Sequence, residues 1–202
     1  MLKTSDGFCK LRKKQKNFLQ KYVSLIKKHQ DNVNLIGRST VANIWVRHII
    51  DSMQIFQYLP KENKDKLLLD VGTGAGLPGI VLAIMGRKDV LLCEKSRKKT
   101  LFLKEVLKEC SINIKVYNCR IENIFNNNIS IIVSRAYASI KNLIFSIYHL
   151  ISLETILVIH KGKKHMNEIN EAQKEFIFTF QKFKSVTSTE GVILKIENIK
   201  KK

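Results

Sequence analysis

The sequence predicts an α/β fold, and three observations carry the prediction. From residue 66 onward, short apolar runs alternate with amphipathic segments, the pattern of a mostly parallel sheet covered by helices on both faces. The run LLLDVGTGAGLPGIVLAIMG at residues 67–86 places an apolar strand, an acid, three alternating glycines and an apolar helix in succession. That is the strand, turn and helix of a nucleotide-like ligand cradle. The last two β-rich runs, Phe176–Lys184 and Gly191–Glu197, are separated only by Ser185 to Glu190, and they read as an antiparallel hairpin closing the sheet edge.

Each element follows from its pattern. Residues 8–29 carry Leu11, Phe18, Leu19, Tyr22, Val23 and Ile26 at helical spacing with lysines on the other face, which predicts an amphipathic helix. The polar stretch His29-Gln30-Asp31-Asn32 ends it. A second helix is expected after Ser39-Thr40, with Ile44, Trp45, His48, Ile49, Met53 and Phe56 on one face and a stop at Leu59-Pro60. Residues 1–60 thus form an N-terminal helical extension, and residues 61–202 a single compact core. In that core strands are expected at 66–71, 89–93, 113–117, 129–133 and 154–160, and helices at 78–86, 97–110, 139–151 and 164–175. Trp45, Phe56, Phe102 and Leu103 are assigned to packing, Asn126-Asn127-Asn128 to a loop, and Lys200 to Lys202 to a solvated tail.

Composition bounds the function. The 202 residues suit one domain. A net charge of +19 points to a polyanionic partner, because a basic surface gains affinity by releasing counterions from phosphates. Most of that charge is lysine, in a chain also rich in Ile and Asn, as a genome poor in G and C would produce unaided. The seven arginines, Arg12, Arg38, Arg47, Arg87, Arg97, Arg120 and Arg135, are the sharper marker, since their planar fork matches phosphate. There is no run of about 18 apolar residues, and the first residues are too charged for a signal peptide, so a soluble, cytoplasmic protein without a membrane partner is expected. Cys9, Cys93, Cys110 and Cys119 include no C-x-x-C pair, so neither a metal site nor a disulfide framework is expected. Nothing requires more than a monomer.

The glycine loop allows two ligands. Gly74-Ala75-Gly76-Leu77-Pro78-Gly79 also fits the dinucleotide spacing G-x-G-x-x-G. Asp70, at the strand end, is expected to lie beside the ligand. There an anionic carboxylate would repel a pyrophosphate and attract the ammonium and sulfonium of S-adenosylmethionine. Glu94 follows the next strand at the reach where a carboxylate accepts from ribose hydroxyls, which supports an adenosine without choosing between the two. The ends of the expected strands gather Asp70-Val71-Gly72, Glu94, Asn118 to Glu122, Ser134-Arg135 and Lys161-Gly162 around one crevice.

If the chemistry is methyl transfer, the acceptor can be narrowed. The fourth strand ends Val133-Ser134-Arg135-Ala136, without the Asn/Asp-Pro-Pro-aromatic run that serves exocyclic amines. No cysteine sits in the Pro-Cys loop that carbon-5 pyrimidine methylation needs. An acceptor with a free lone pair remains, such as guanine N7, where orientation and proximity do the catalysis.

Asn34-Leu35, Arg47-His48-Ile49-Ile50-Asp51-Ser52 and the Asp70 to Gly79 loop occur in order with Ser96-Arg97-Lys98-Lys99-Thr100-Leu101-Phe102-Leu103. Arg120-Ile121-Glu122, Ser134-Arg135-Ala136-Tyr137-Ala138-Ser139 and Lys161-Gly162 follow. The set resembles the bacterial small-subunit rRNA guanine-N7 methyltransferase family, RsmG or GidB, over nearly the whole chain. The resemblance implies a Rossmann-like class I S-adenosylmethionine-dependent methyltransferase fold behind a helical extension. It also implies methyl transfer to N7 of a guanine in the 530 loop of 16S rRNA, at position 527 in standard rRNA numbering, on free rRNA or the small ribosomal subunit.

It further implies that Gly72 and Leu77 line the cofactor, with Gly74 and Gly76 in the same loop, that Ile121 and Glu122 meet its adenine side, and that Arg135 stands at its acceptor end. On the residues themselves, Glu122 or a neighbouring backbone group suits the adenine amine. Arg135 either pairs with Asp70 or Glu94 or orients the target guanine or its phosphate. Arg120 and Lys161 are assigned to RNA beside a structural alternative. His48 is a core histidine or lines the cleft; Arg47 and Asp51, four apart, either pair on their helix or line it too. A short hairpin connection and extra lysine depart from the family. Two other functions stay open: a small-molecule methyltransferase, and a non-enzymatic protein that binds S-adenosylmethionine and RNA.

Overall fold

The structure, a computed structural model, describes residues 11–63 and 65–202. The start of the helix expected at 8–29, and Cys9, lie outside the described residues. Helix α1 spans Lys13–Val33 and buries Leu19, Tyr22, Val23 and Ile26, each worth about 1.5–3 kcal/mol when fully removed from water. The expected polar break does not end it. Gln30 turns inward, where its amide donates to the Ile36 carbonyl (2.7 Å) and accepts from the Ile36 N–H (3.0 Å), so its polar groups are answered in the interior. The helix stops at Asn34, which takes the left-handed conformation (φ 51°) that asparagine tolerates.

The second expected helix is instead a chain of short helical pieces: a 3-10 turn Arg38–Thr40, a π-helical stretch Trp45–Ile50, α2 Asp51–Met53, and a 3-10 turn Gln54–Tyr58. The cause is local. In an α-helix the Arg47 carbonyl would accept from the Asp51 N–H; here it accepts from the Arg135 guanidinium (3.0 Å), and the Asp51 N–H turns to the carbonyls of Val46 and His48. A carbonyl ceded to a distant side chain widens the helix at that turn. Trp45 and Phe56 pack against the core from this segment.

The remaining elements follow the sequence pattern closely. They are β1 Leu67–Val71, α3 Gly79–Met85, β2 Val90–Cys93, α4 Arg97–Glu109, β3 Lys115–Tyr117, β4 Ile129–Arg135, α5 Ile140–Ile147, β5 Ile156–Lys161, α6 His165–Gln173, β6 Phe176–Lys184 and β7 Val192–Lys201. The sheet order is β3-β2-β1-β4-β5-β7-β6. The first five strands are parallel, and β7 runs antiparallel to both β5 and β6. β7 runs past the expected end at Glu197 because Ile199 is buried beyond it, so Lys200 and Lys201 are strand residues rather than tail.

Alternation along the strands builds two cores. Leu68, Leu92, Ile131 and Val133 face α1, α3 and α4, with Phe102 and Leu103 among them. Leu69, Val71, Ile132 and Leu157 face α5 and α6. The extension therefore covers one face of the sheet directly, and Tyr22 on α1 donates from its buried hydroxyl to the Ala75 carbonyl of the glycine loop (2.7 Å). Strand order reverses between β1 and β4, so the carboxyl ends of these strands open a crevice. No helix among the described residues is long and apolar enough to cross a membrane.

Candidate functional site

The crevice divides into two adjoining clefts. The larger, about 760 Å³, is walled by the 38–58 segment, the glycine loop, the ends of β4 and β5, and the hairpin turn at Ser185 to Gly191. The smaller, about 270 Å³, lies against Glu94, Lys95, Cys119 and Arg120 to Glu122. Gly72, Lys99, Ala136 and Tyr137 belong to both walls and mark the passage between them.

The loop between β1 and α3 is held from below. Asp70 is fully buried, and its Oδ2 accepts from the Thr73 hydroxyl (2.5 Å) and the Gly79 N–H (2.7 Å). Gly79 must be glycine for this approach, since a Cβ there would overlap Leu92 and crowd the Asp70 side chain. Burial raises the Asp70 carboxyl from 3.8 to about 6, against the lowering effect of those two hydrogen bonds. The expectation that Asp70 lies open beside the ligand is corrected: neither Asp70 nor Gly76 lines a cleft, because β1 points this side chain toward the start of α3. The correction still bears on the ligand. The first amide of α3, where a dinucleotide would set its pyrophosphate, already serves the protein's own carboxylate.

Gly72, Gly74 and Leu77 line the larger cleft. Gly72 has φ +64°, in the left-handed region that favours glycine, and a Cβ there would overlap the Tyr137 ring. In the smaller cleft Glu94 accepts from the Gly74 N–H (3.0 Å) with one oxygen and from the Ser96 N–H (2.7 Å) with the other. Each oxygen keeps a lone pair for a further donor such as a ribose hydroxyl. Ile121 and Glu122 stand on the same wall. A bipartite ligand with an adenosine in the smaller cleft and an amino-acid tail over the glycines fits these groups.

Arg135 does not pair with Asp70 or Glu94. Its NH1 donates to the Arg47 carbonyl (3.0 Å) and to Asp51 Oδ2 (3.3 Å), and its NH2 donates to His48 Nδ1 (2.9 Å). The neutral tautomer of His48 then donates from Nε2 to the Thr40 hydroxyl (2.7 Å), which donates onward to the Gly37 carbonyl (2.6 Å). Burial, with Arg135 adding to it, lowers His48 from 6.5 to about 4. His48 is both buried and on the wall of the larger cleft.

Asp51 pairs across the fold rather than with Arg47 on its own helix. Its Oδ1 accepts from Gln54 (2.8 Å) and from Thr187 in the hairpin turn (2.6 Å), and its backbone carbonyl accepts from His160 at the end of β5 (2.7 Å). Burial lowers the His160 ring below its usual range. Lys161 lies on the wall of the larger cleft but is held there by its neighbours. Its ammonium donates to Glu168 (2.7 Å) and to the Ala138 carbonyl (2.5 Å) and is only 9% exposed, so it braces β5 against α6. Arg120 stays exposed on the rim of the smaller cleft.

The model of the family described as "rRNA small subunit methyltransferase G" (GidB) matches residues 15–197. The chain belongs to that family. Relatives named Ribosomal RNA small subunit methyltransferase G include that of Rickettsia rickettsii (strain Sheila Smith), 38% identical over 183 residues, which covers 91% of this chain and 94% of the relative. That of Rickettsia prowazekii (strain Madrid E) is 39% identical over the same shares. Among solved structures, the ribosomal protein L11 methylase of Lactobacillus delbrueckii subsp. bulgaricus has a TM-score of 0.59 at 18% identity, covering 74% of this chain and 76% of that one. A protein of Methanococcus maripaludis described as a "putative s-adenosyl-l-methionine-dependent methyltransferase" has a TM-score of 0.56 at 15% identity, covering 95% of this chain and 97% of that one.

The fold is that of the class I S-adenosylmethionine-dependent methyltransferases. Within it this GidB member places Tyr137 and Lys99, quoted above only as parts of longer runs, at the junction of its clefts, and His160, which no motif contains, on the wall of the larger one. The aromatic between Ala136 and Ala138 at a strand end was the available signal for Tyr137.

Proposed function

We propose that this chain transfers the methyl group of S-adenosylmethionine to N7 of a guanine in the 530 loop of 16S rRNA, in the cytoplasm and as a monomer. The family and fold support rRNA methylation, and one feature of the site favours a ring nitrogen as acceptor: the carboxylates and histidines on the wall of the larger cleft are held in hydrogen bonds within the protein. Asp51 accepts from Arg135, Gln54 and Thr187. Both nitrogens of His48 are engaged, and Glu168 accepts from Lys161 and the Ile140 N–H. His160 donates to the Asp51 carbonyl, and its other nitrogen is buried without a partner. These four side chains are held by the fold rather than presented to a substrate, and N7 carries no proton to remove.

When bound, the cofactor supplies an electrophilic methyl on a cationic sulfur. Gly72, Gly74 and Leu77 would hold its amino-acid part, and Glu94, Ile121 and Glu122 its adenosine. Arg135, fixed at three points, keeps its Nε–H and one NH2 hydrogen to orient cofactor or guanine.

The partner is read from the arginines. Arg87 is buried in a pair with Asp89, and Arg135 is taken by the 38–58 segment. Arg38, Arg47, Arg97 and Arg120 are exposed and form no ion pair with a described residue, and Arg47 and Arg120 line the clefts, which suits phosphates flanking the target base. The described residues before 61 are then an extension that completes the site of the 61–202 core.

The test is incubation with labelled S-adenosylmethionine and small subunits lacking the modification, then chemical cleavage specific for N7-methylguanosine. Label at N7 is expected. Label on an exocyclic amine, or none with protein that binds cofactor, overturns the reading.

A further inference from the structure

Tyr137 occupies the passage between the two clefts. Its ring lies on Gly72 so closely that a Cβ there would overlap it, yet the residue is 38% exposed. The backbone is held on both sides of it, by the pairing of Arg135 with His160 at the end of β4 and by the Lys161 contact to the Ala138 carbonyl. Ala136, between Arg135 and Tyr137, has φ +56°, a strained conformation for a residue with a Cβ. A ring on so fixed a backbone moves by side-chain rotation alone.

A ligand that reaches Glu94 from one side and delivers a methyl group in the larger cleft must cross Gly72, where the ring now lies. The larger cleft, for its part, has few faces for a planar base. Of the rings on its wall, His48 is fixed by Thr40 and Arg135, and His160 by the Asp51 carbonyl, which leaves Tyr137.

We propose that Tyr137 positions the acceptor base: its ring leaves Gly72 when S-adenosylmethionine binds, turns into the larger cleft and stacks on the guanine. This rests on the function proposed above. In the reaction the N7 lone pair forms the N–C bond as the C–S bond pair returns to sulfur. No proton leaves, and the positive charge passes from sulfur to the guanine ring. An aromatic face against that ring gains attraction as the charge arrives, so Tyr137 acts more on the transition state than on ground-state binding.

Removing the ring should therefore move two observables in opposite directions. For Tyr137→Ala, calorimetric titration with S-adenosylmethionine alone is expected to show about three- to tenfold tighter binding, because the bound arrangement no longer has to displace the ring. Turnover on undermethylated small subunits should fall by about tenfold or more. Tyr137→Phe, which keeps the ring, should change both by less than about twofold. Tyr137→Leu repeats the first pair of measurements should the alanine variant fold poorly. If wild type binds cofactor and neither Tyr137→Ala nor Tyr137→Leu binds it more tightly, or turnover on RNA is unchanged, the inference is overturned. If wild type binds no S-adenosylmethionine, the function proposed above fails instead.

Discussion

The Arg135 guanidinium donates to His48 Nδ1 at 2.9 Å, so the histidine serves this site as a neutral acceptor. A protonated ring would present an N–H to a fixed cation, and burial and Arg135 together hold its pKa near 4.

His48→Ala should destabilise the protein by about 1–3 kcal/mol at pH 7, since it leaves a half-buried guanidinium N–H unanswered. The sign of its pH dependence follows from the lowered pKa. Between pH 6.5 and 4 the unfolded chain takes up a proton at His48 and the folded chain does not, so this contribution is present above 6.5 and is lost as pH falls toward 4. Urea unfolding of both proteins at pH 7 and pH 5 should show a smaller gap at pH 5.

Asp70 runs the other way. Its folded pKa near 6 lies above the usual 3.8, so its contribution is full below 3.8 and is lost as pH rises through 6. Asp70→Asn retains an oxygen for Thr73 and Gly79 without the buried charge. Its stability relative to wild type should improve from pH 4 to pH 7 in the same unfolding measurement.

Arg120 and Lys161 separate RNA contact from bracing. Arg120→Ala should weaken binding to 16S rRNA and lower the slope of log affinity against log salt by about 1, leaving the melting temperature near wild type. Lys161→Ala should leave that slope alone and lower thermal stability, because Glu168 and the Ala138 carbonyl lose a donor. A reduced slope for Lys161→Ala would return it to the RNA surface.

Asp51 ties the 38–58 segment to β4 and to the hairpin turn. Asp51→Ala should cost about 2–4 kcal/mol, and Thr187→Val about 1 kcal/mol. In a double-mutant cycle the two losses should fall short of adding, because both remove the contact from Thr187 to Asp51 (2.6 Å).

The parallel strands were legible because each is a short apolar run between turn signals, and the ends of β1, β2, β4 and β5 brought Gly72, Glu94, Arg135 and Lys161 to one crevice as the rule for open sheets requires. What could not be read was partner choice. Lys161 beside Gly162 gives no hint of Glu168, and Arg135 gives none of a carbonyl more than 80 residues earlier. The broken helix at 45–58 has the same origin: its apolar spacing is helical, and what widens it is a donor from another strand. Asp70 was placed on the right strand but with the wrong direction, since the side chain's face depends on how α3 starts beneath the loop.

Tyr22 reaches from the middle of α1 to the Ala75 carbonyl, inside the glycine loop. The glycine loop is thus anchored in the segment that precedes it by about 50 residues, through one fully buried phenol. A chain shortened to begin at residue 61 would keep every glycine of the motif and still lose the wall they lean on. For this protein the smallest heritable unit of chemistry is longer than the motif that announces it.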